Sequence, residues 1–226
     1  MKRFLLVGCL SGLVLAALSL SAKAATSQDE AQAEVTAAGK TLDNFVADPE
    51  MGWFRKHAKE AKGLILCSKI AKAGFIIGGS GGRCVLVVKG EKGWNGPAFY
   101  AMGTGSIGFQ AGISVAEVVI LVKSQKSLDS LMSGSFKMGG DASIAVGPVG
   151  AGTGATPNAD FIVYTRAKGV YGGLNLSGAG LNPSEDYNAA YYGKEASPID
   201  IIVKGAVHNP QAEPTLLSKV AKLYGM

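Results

Sequence analysis

The chain has 226 residues with 22 Lys and Arg against 17 Asp and Glu, a net charge of +5 at neutral pH, and 47% of its residues are hydrophobic. That length suits one ordinary domain with a sizeable core. The 32 glycines lack the three-residue period of collagen, and the modest charge excludes a strongly basic nucleic-acid binder.

The first 24 residues, MKRFLLVGCLSGLVLAALSLSAKA, have the plan of a secretory leader: Lys2 and Arg3, an apolar run from Phe4 to Leu20, then small residues before Ala25. A second reading takes Leu6-Val7-Gly8-Cys9 as a lipoprotein box with Cys9 acylated, but the apolar run ahead of Cys9 is shorter than such a core. The expected organisation is a leader over 1–24 and one domain over 25–226, with a helical segment at 25–62 and a β-rich core at 63–226. The leader holds three cations and no acid, so the remainder carries +2. Export, to a periplasmic or envelope location, is the expectation. Cys67 and Cys84 remain, either paired as a disulfide in an oxidising compartment or buried as two small hydrophobic thiols.

From Gln28 to Val46 the residues Ala31, Val35, Ala38, Leu42 and Phe45 recur at four- and three-residue steps, which predicts a helix with one apolar face and an acidic one. Asp48-Pro49 predicts a break and an N-cap for a second helix running to about Lys62, with Gly63 as its stop. Beyond it, short β-type runs separated by Gly, Asn, Pro and Ser predict strands at Gly74–Ile77, Cys84–Lys89, Ala98–Met102, Ser106–Gln110, Glu117–Val122, Ser143–Val146, Asp160–Arg166, Val170–Leu176 and Ile199–Val203. Cys84–Val88 and Val118–Val122 are apolar at every position, so both faces of those strands need cover. Helical patches at Ser124–Met132, Pro183–Tyr192 and Pro214–Tyr224 interrupt them, and Gly150–Asn158 reads as a mobile loop. The fold class is α+β: a single domain with a curled antiparallel or mixed sheet, a partial barrel or a sandwich, and helices at both ends.

Catalytic motifs fail on context. Gly78-Gly79-Ser80-Gly81-Gly82 matches G-x-S-x-G, but a strand follows instead of a helix, so the stretch reads as a hairpin turn. Gly103 to Gly108 matches G-x-G-x-x-G, again without the helix whose N-terminus would hold pyrophosphate. His57 and His208 stand in no metal-ligand spacing. No catalytic residue, metal or cofactor is assigned.

Charge is the stronger signal. Nine cations between Arg55 and Lys92 face only Glu60 and Glu91, whereas six acids between Thr26 and Phe54 face only Lys40. A basic stretch beside Trp53 and Phe54 suits an anionic membrane surface, with the rings in the headgroup layer. It equally describes a solvated helix face beside two core aromatics.

Several motifs in order resemble the SYLF domain family. They are Ala61-Lys62-Gly63-Leu64, Lys72-Ala73-Gly74-Phe75, the glycine-rich stretch at 78–82, Gly93-Trp94-Asn95-Gly96-Pro97, Gly105 to Gly112, Ala145 to Gly150 and Tyr164 to Gly173, within a likeness running from about Phe54 to Tyr224. The resemblance implies a non-enzymatic domain that binds phospholipid. Eukaryotic members bind phosphoinositides partly through an N-terminal amphipathic segment, matched here by Trp53–Lys72, and some bind actin; bacterial members are exported envelope proteins or lipoproteins. The expectation is an exported protein that binds anionic phospholipid through Lys56, Lys59, Lys62, Lys69, Lys72 and Arg83, with Trp53 and Phe54 as apolar anchors. The alternative is an envelope protein that binds another protein through its glycine-rich sheet.

Overall fold

The computed structural model describes residues 28–74, 77–107, 112–148, 158–168, 176, 178–209 and 215–225. The expected leader with Cys9, nearly all of the expected loop at Gly150–Asn158, residues 75–76 of the expected strand at Gly74–Ile77, residues 108–110 of that at Ser106–Gln110 and all but Leu176 of that at Val170–Leu176 lie outside them.

Helix α1 (residues 28–47) buries the stripe read from its periodicity, with Ala31, Val35, Ala38, Leu42 and Phe45 all enclosed. Asp48 ends it, accepting from the Glu50 N–H and capping a 3-10 turn, Pro49–Met51, that leads into α2 (Gly52–Ala58). The second helix is shorter than its lysines suggested. Turns from Glu60 and Ala61 back to His57 and Ala58 close it, and the Lys62 N–H bonds to the Val122 carbonyl. Gly63 is therefore the first strand residue and not a helix stop.

The sheet has eight strands, β1 (Gly63–Gly74), β2 (Ile77–Gly90), β3 (Gly93–Ile107), β4 (Gly112–Val122), β5 (Phe136–Lys137), β6 (Ile144–Val146), β7 (Phe161–Lys168) and β8 (Gly180–Pro183). Their spatial order is β5-β8-β3-β2-β1-β4-β7-β6, antiparallel except for the β6–β7 pair. Register shifts in β1 near Cys67–Ile70 and in β2 at Leu86–Val88 bend the ladder, and the sheet curls as an α+β half-barrel. Helix α3 (Gln125–Met132) follows β4, α4 (Glu185–Tyr192) and α5 (Pro198–Ile202) follow β8, and α6 (Thr215–Gly225) ends the described chain.

Pairing in the sheet sets which residues share a face. Phe99, Val85, Leu66, Val119 and Tyr164 stand side by side across five strands. This row meets the helices, Tyr164 edge-on to Phe54 of α2 and Phe99 against Tyr191 of α4. The row of Val88, Gly63, Val122 and Phe161 faces the other way, where a Cβ on Gly63 would touch Leu128 of α3 and Phe161 packs on Phe136. Covered from both sides, the all-apolar runs of β2 and β4 are buried throughout. Cys67 and Cys84 on neighbouring strands form a disulfide, with their Cα atoms 4.1 Å apart.

Several elements differ from the sequence reading, among them β5 and β8, which no expected strand covers, and the expected strand at Gly74–Ile77, whose two ends belong to β1 and β2. Strand β1 went unread because Ser68, Lys69 and Lys72 break its apolar run. The glycines at 78–82 lie inside β2, where Gly81 pairs with Ala71 and Gly103, and do not form the hairpin turn. Residues 199–203, read as a strand, belong mostly to α5: Ser197 and Asp200 build a capping box with Pro198 in the first turn, and this local start signal outweighs the β-branched Ile residues.

Candidate functional site

The residues that surround Lys62 come from three other segments of the sheet. One position beyond the Gly63–Val88 and Gly63–Val122 pairs, Lys62 sits between Lys89 of β2 and Lys123 after β4, and Lys89 pairs in turn with Trp94 of β3. Trp94, Lys89, Lys62 and Lys123 thus form a transverse row at the end of the sheet, on its helical face. Neighbouring strands lie about 4.8 Å apart, so Lys89 and Lys62 stand close enough to meet one multivalent anion, with Trp94 beyond Lys89 and Lys123, held by Glu60, on the other side.

Aromatic rings and helix ends frame this row. Trp94 meets Tyr224 of α6 edge-on with ring centres 4.5 Å apart, the Lys89 ammonium lies 5.7 Å from the Tyr224 ring, and the Tyr224 hydroxyl donates to the Ala61 carbonyl at 3.0 Å. Both Trp94 and Tyr224 are half-buried, and Lys56, Lys59, Lys62, Lys89 and Lys92 are exposed. Trp53 is half-buried and stacks on His57 at 4.7 Å. The His57 Nδ1 is 2.8 Å from Glu60 Oε1, and the Lys123 ammonium donates to the other Glu60 oxygen. Hydrogen bonds from Lys123 and then His57 hold the Glu60 carboxyl below its ordinary range, so it stays ionised and fixes Lys123. Lys56, Lys59, Lys62 and Lys92 make no ion pair among the described residues.

A second polar network aligns α2 with the sheet. Arg166 of β7 donates to Asp48 at 2.8 Å and to Glu117 of β4 at 2.6 Å, while Glu117 also accepts from Asn44 and Thr41 of α1. The α1–α2 junction is thereby tied to two strands, and α2 carries its lysines to the same end as the row.

The sequence-predicted site residues separate into three groups. Lys62 stands in the row, and α2, which carries Lys56 and Trp53, is joined with the neighbouring Lys59 to the end of it by the chain Trp53–His57–Glu60–Lys123. Phe54 is fully enclosed between Phe45 and Tyr164, with ring centres 5.7 and 5.5 Å away, and belongs to the core. Lys69 and Lys72 are farther along β1, and ten residues of strand, about 33 Å, separate Lys62 from Lys72. Arg83 stacks on the Tyr187 ring at 3.7 Å, and the Tyr187 hydroxyl donates to Glu30, so its guanidinium is engaged inside the molecule. Sequence reasoning overlooked Lys89, Lys92, Trp94 and Tyr224 as site residues; only the strand register could have brought them together.

Among the described residues no catalytic constellation assembles around these groups. Ser80 lies opposite Lys72 and Thr104 in the ladder, away from the His57–Glu60 pair, and no cluster of metal ligands occurs among the described residues.

A cationic, aromatic-edged surface on a rigid α+β scaffold defines a binding domain. The comparisons give that domain its family: residues 103–223, just over half of the chain, match the Ysc84 family model, described as Las17-binding protein actin regulator, and the chain belongs to this family. It is 28% identical over 167 residues to protein YSC84 of Saccharomyces cerevisiae, covering 70% of this chain and 35% of that protein. An SH3 domain-containing protein of Schizosaccharomyces pombe is 30% identical over 199 residues, covering 82% and 46%, and the human SH3 domain-containing YSC84-like protein 1 is 28% identical over 160 residues, covering 68% and 46%. The chain spans less than half the length of these relatives. No solved structure matches it.

Proposed function

We propose that this domain binds anionic phospholipid at a membrane surface through the row of Lys62 and Lys89, as an exported envelope protein without enzymatic activity. The observation that carries the reading is the register that sets Lys62 and Lys89 side by side between half-buried rings, flanked by Lys56, Lys59 and Lys92. Each cation near an anionic leaflet contributes about 1 kcal/mol, so five give roughly 5 kcal/mol, a binding constant in the range of tenths of a millimolar. Partial insertion of Trp53 and Trp94 strengthens that attachment. Lys69 and Lys72, also expected to contact headgroups, are too distant to join the same footprint.

Liposome flotation tests this. Wild type is expected to float with vesicles containing phosphatidylglycerol and not with pure phosphatidylcholine, with attachment falling as salt rises. Lys62→Glu with Lys89→Glu should abolish it, and Lys69→Glu with Lys72→Glu should leave most of it. Flotation indifferent to the first pair would end the proposal.

The relatives' names favour a second reading, in which the domain docks on a protein, since they include a LAS seventeen-binding protein and proteins carrying SH3 domains. Its predicted surface is the glycine-rich part of β1 to β3. A stoichiometric crosslinked partner, together with no lipid attachment, would select it.

A further inference from the structure

Close to the lysine row is a cavity of about 130 Å³. Val35 of α1, Pro97 of β3, Tyr191 of α4 and Leu216 and Leu217 of α6 give it hydrocarbon walls. Of its polar neighbours, His208 is exposed at the surface, the buried Asn209 bonds to the Tyr191 hydroxyl, and the Tyr192 hydroxyl donates to the Pro97 carbonyl at 2.8 Å. An apolar cavity of about 150 Å³ holds a benzene molecule and stays dry without one. This space therefore fits one hydrocarbon end and not two chains.

Its position relative to the lysines follows from two elements. Along β3, Pro97 is three residues from Trp94, about 10 Å. Along α6, Leu217 is seven residues from Tyr224, again about 10 Å. Trp94 and Tyr224 touch, so the cavity and the Lys89–Lys62 row lie along the same seam between β3 and α6, with this ring pair beside the path from one to the other.

We infer that the cavity takes the acyl tail of a single-chain anionic lipid, a fatty carboxylate, whose charged end meets Lys89 and Lys62. The inference rests on the reading of the lysine row as an anionic-lipid site and adds a ligand class to it: a monomeric amphiphile held by one protein molecule, in which charge and apolar wall are spaced for one chain. Each methylene buried tightens binding about fourfold until the cavity is full.

Calorimetric titration of the full chain with octanoate, decanoate and dodecanoate, each below its critical micelle concentration, tests this. Saturable 1:1 binding is expected, tightening from octanoate to decanoate, with decanoate at least fivefold tighter than 1-decanol. Leu217→Trp, which fills the cavity, should weaken decanoate at least tenfold and leave vesicle flotation unchanged; Val207 also lines the cavity, and Val207→Phe gives a second variant should the first not fold, as judged by circular dichroism. No saturable binding by wild type, undiminished binding by whichever filled variant folds, or equal affinity for 1-decanol overturns the inference. Flotation without decanoate binding removes the cavity site and leaves the membrane reading standing. Decanoate binding that meets these criteria without flotation removes the membrane reading and leaves a monomer-binding site.

Discussion

The four central strands are built differently at their two ends. At the Lys62 end, Gly63 to Cys67, Cys84 to Val88 and Val118 to Val122 are buried on both faces, beneath α1, α2 and α6 on one side and α3 on the other. Beyond the irregularity in β1, Ala71, Ser80, Gly81, Gly103 and Gly105 are partly or fully exposed, and the ladder continues with few side chains to pack. The Cys67–Cys84 bridge lies near the boundary. Backbone pairing alone can extend a sheet, but side-chain burial is what fixes a surface in place. The lysine row therefore sits on the packed end, where the headgroup proposed to bind there would find a preformed arrangement, with the entropy of ordering already spent.

The sharpest way to break this contrast is to empty the rigid end. Phe54→Ala removes a ring that touches Phe45 and Tyr164 with no exposed surface, and is expected to cost about 3–5 kcal/mol in urea unfolding. A loss below about 1 kcal/mol would mean that α2 is loosely docked and that Phe54 is available to a membrane after all.

The glycine end is tested by two alanines. A Cβ on Gly82 would stand 2.1 Å from the Lys69 carbonyl oxygen and 2.9 Å from Ile70 Cδ1, because the irregular stretch of β1 presses its backbone onto β2 there. Gly82→Ala should cost about 1–3 kcal/mol. At Gly103 a Cβ meets nothing within 4 Å, and Gly103→Ala should stay within about 0.5 kcal/mol of wild type. Equal effects at the two positions would show that glycine serves this end through chain flexibility and not through close backbone approach.

How much of this was legible in the sequence depends on the distance over which each feature is encoded. The stripe of α1 and the apolar faces of α3 and α6 are local, and so are the all-apolar runs within β2 and β4. The start of α5 is also local, written in Ser197, Pro198 and Asp200, but the β-branched run after it drew the reading toward a strand. Phe54 could not be assigned from α2 alone, since seven residues hold too little period and the ring that covers it, Tyr164, lies far along the chain. The lysine row is the extreme case. Residues 62, 89, 94 and 123 share a surface only through the register of three strand pairs, which charge counts over consecutive residues do not contain.

A smaller effect than those of Phe54→Ala and Gly82→Ala is expected at the tie between α1, α2 and the sheet. Asp48 has its carboxyl held below the ordinary range, first by the hydrogen bond from Arg166 and then by the Glu50 N–H. A depressed folded-state pKa contributes stability that is present above the unfolded value, about 3.9, and is lost as pH falls through the folded value. Asp48→Asn should thus cost about 1 kcal/mol at pH 6, since Arg166 keeps Glu117 as a partner. Near pH 3 and below, the gap between variant and wild type should narrow, as wild type protonates the group the variant lacks. Glu60, Asp160 and Asp186 are depressed as well, so acid weakens both proteins and only their difference reports on Asp48. If that difference stays constant from pH 6 to pH 2 in urea titrations, the Asp48–Arg166 pair does not hold the α1–α2 junction, and the alignment of the α2 lysines with the row must come from the packing of Phe54 and from the Arg55 bonds to the Val46 and Asp48 carbonyls.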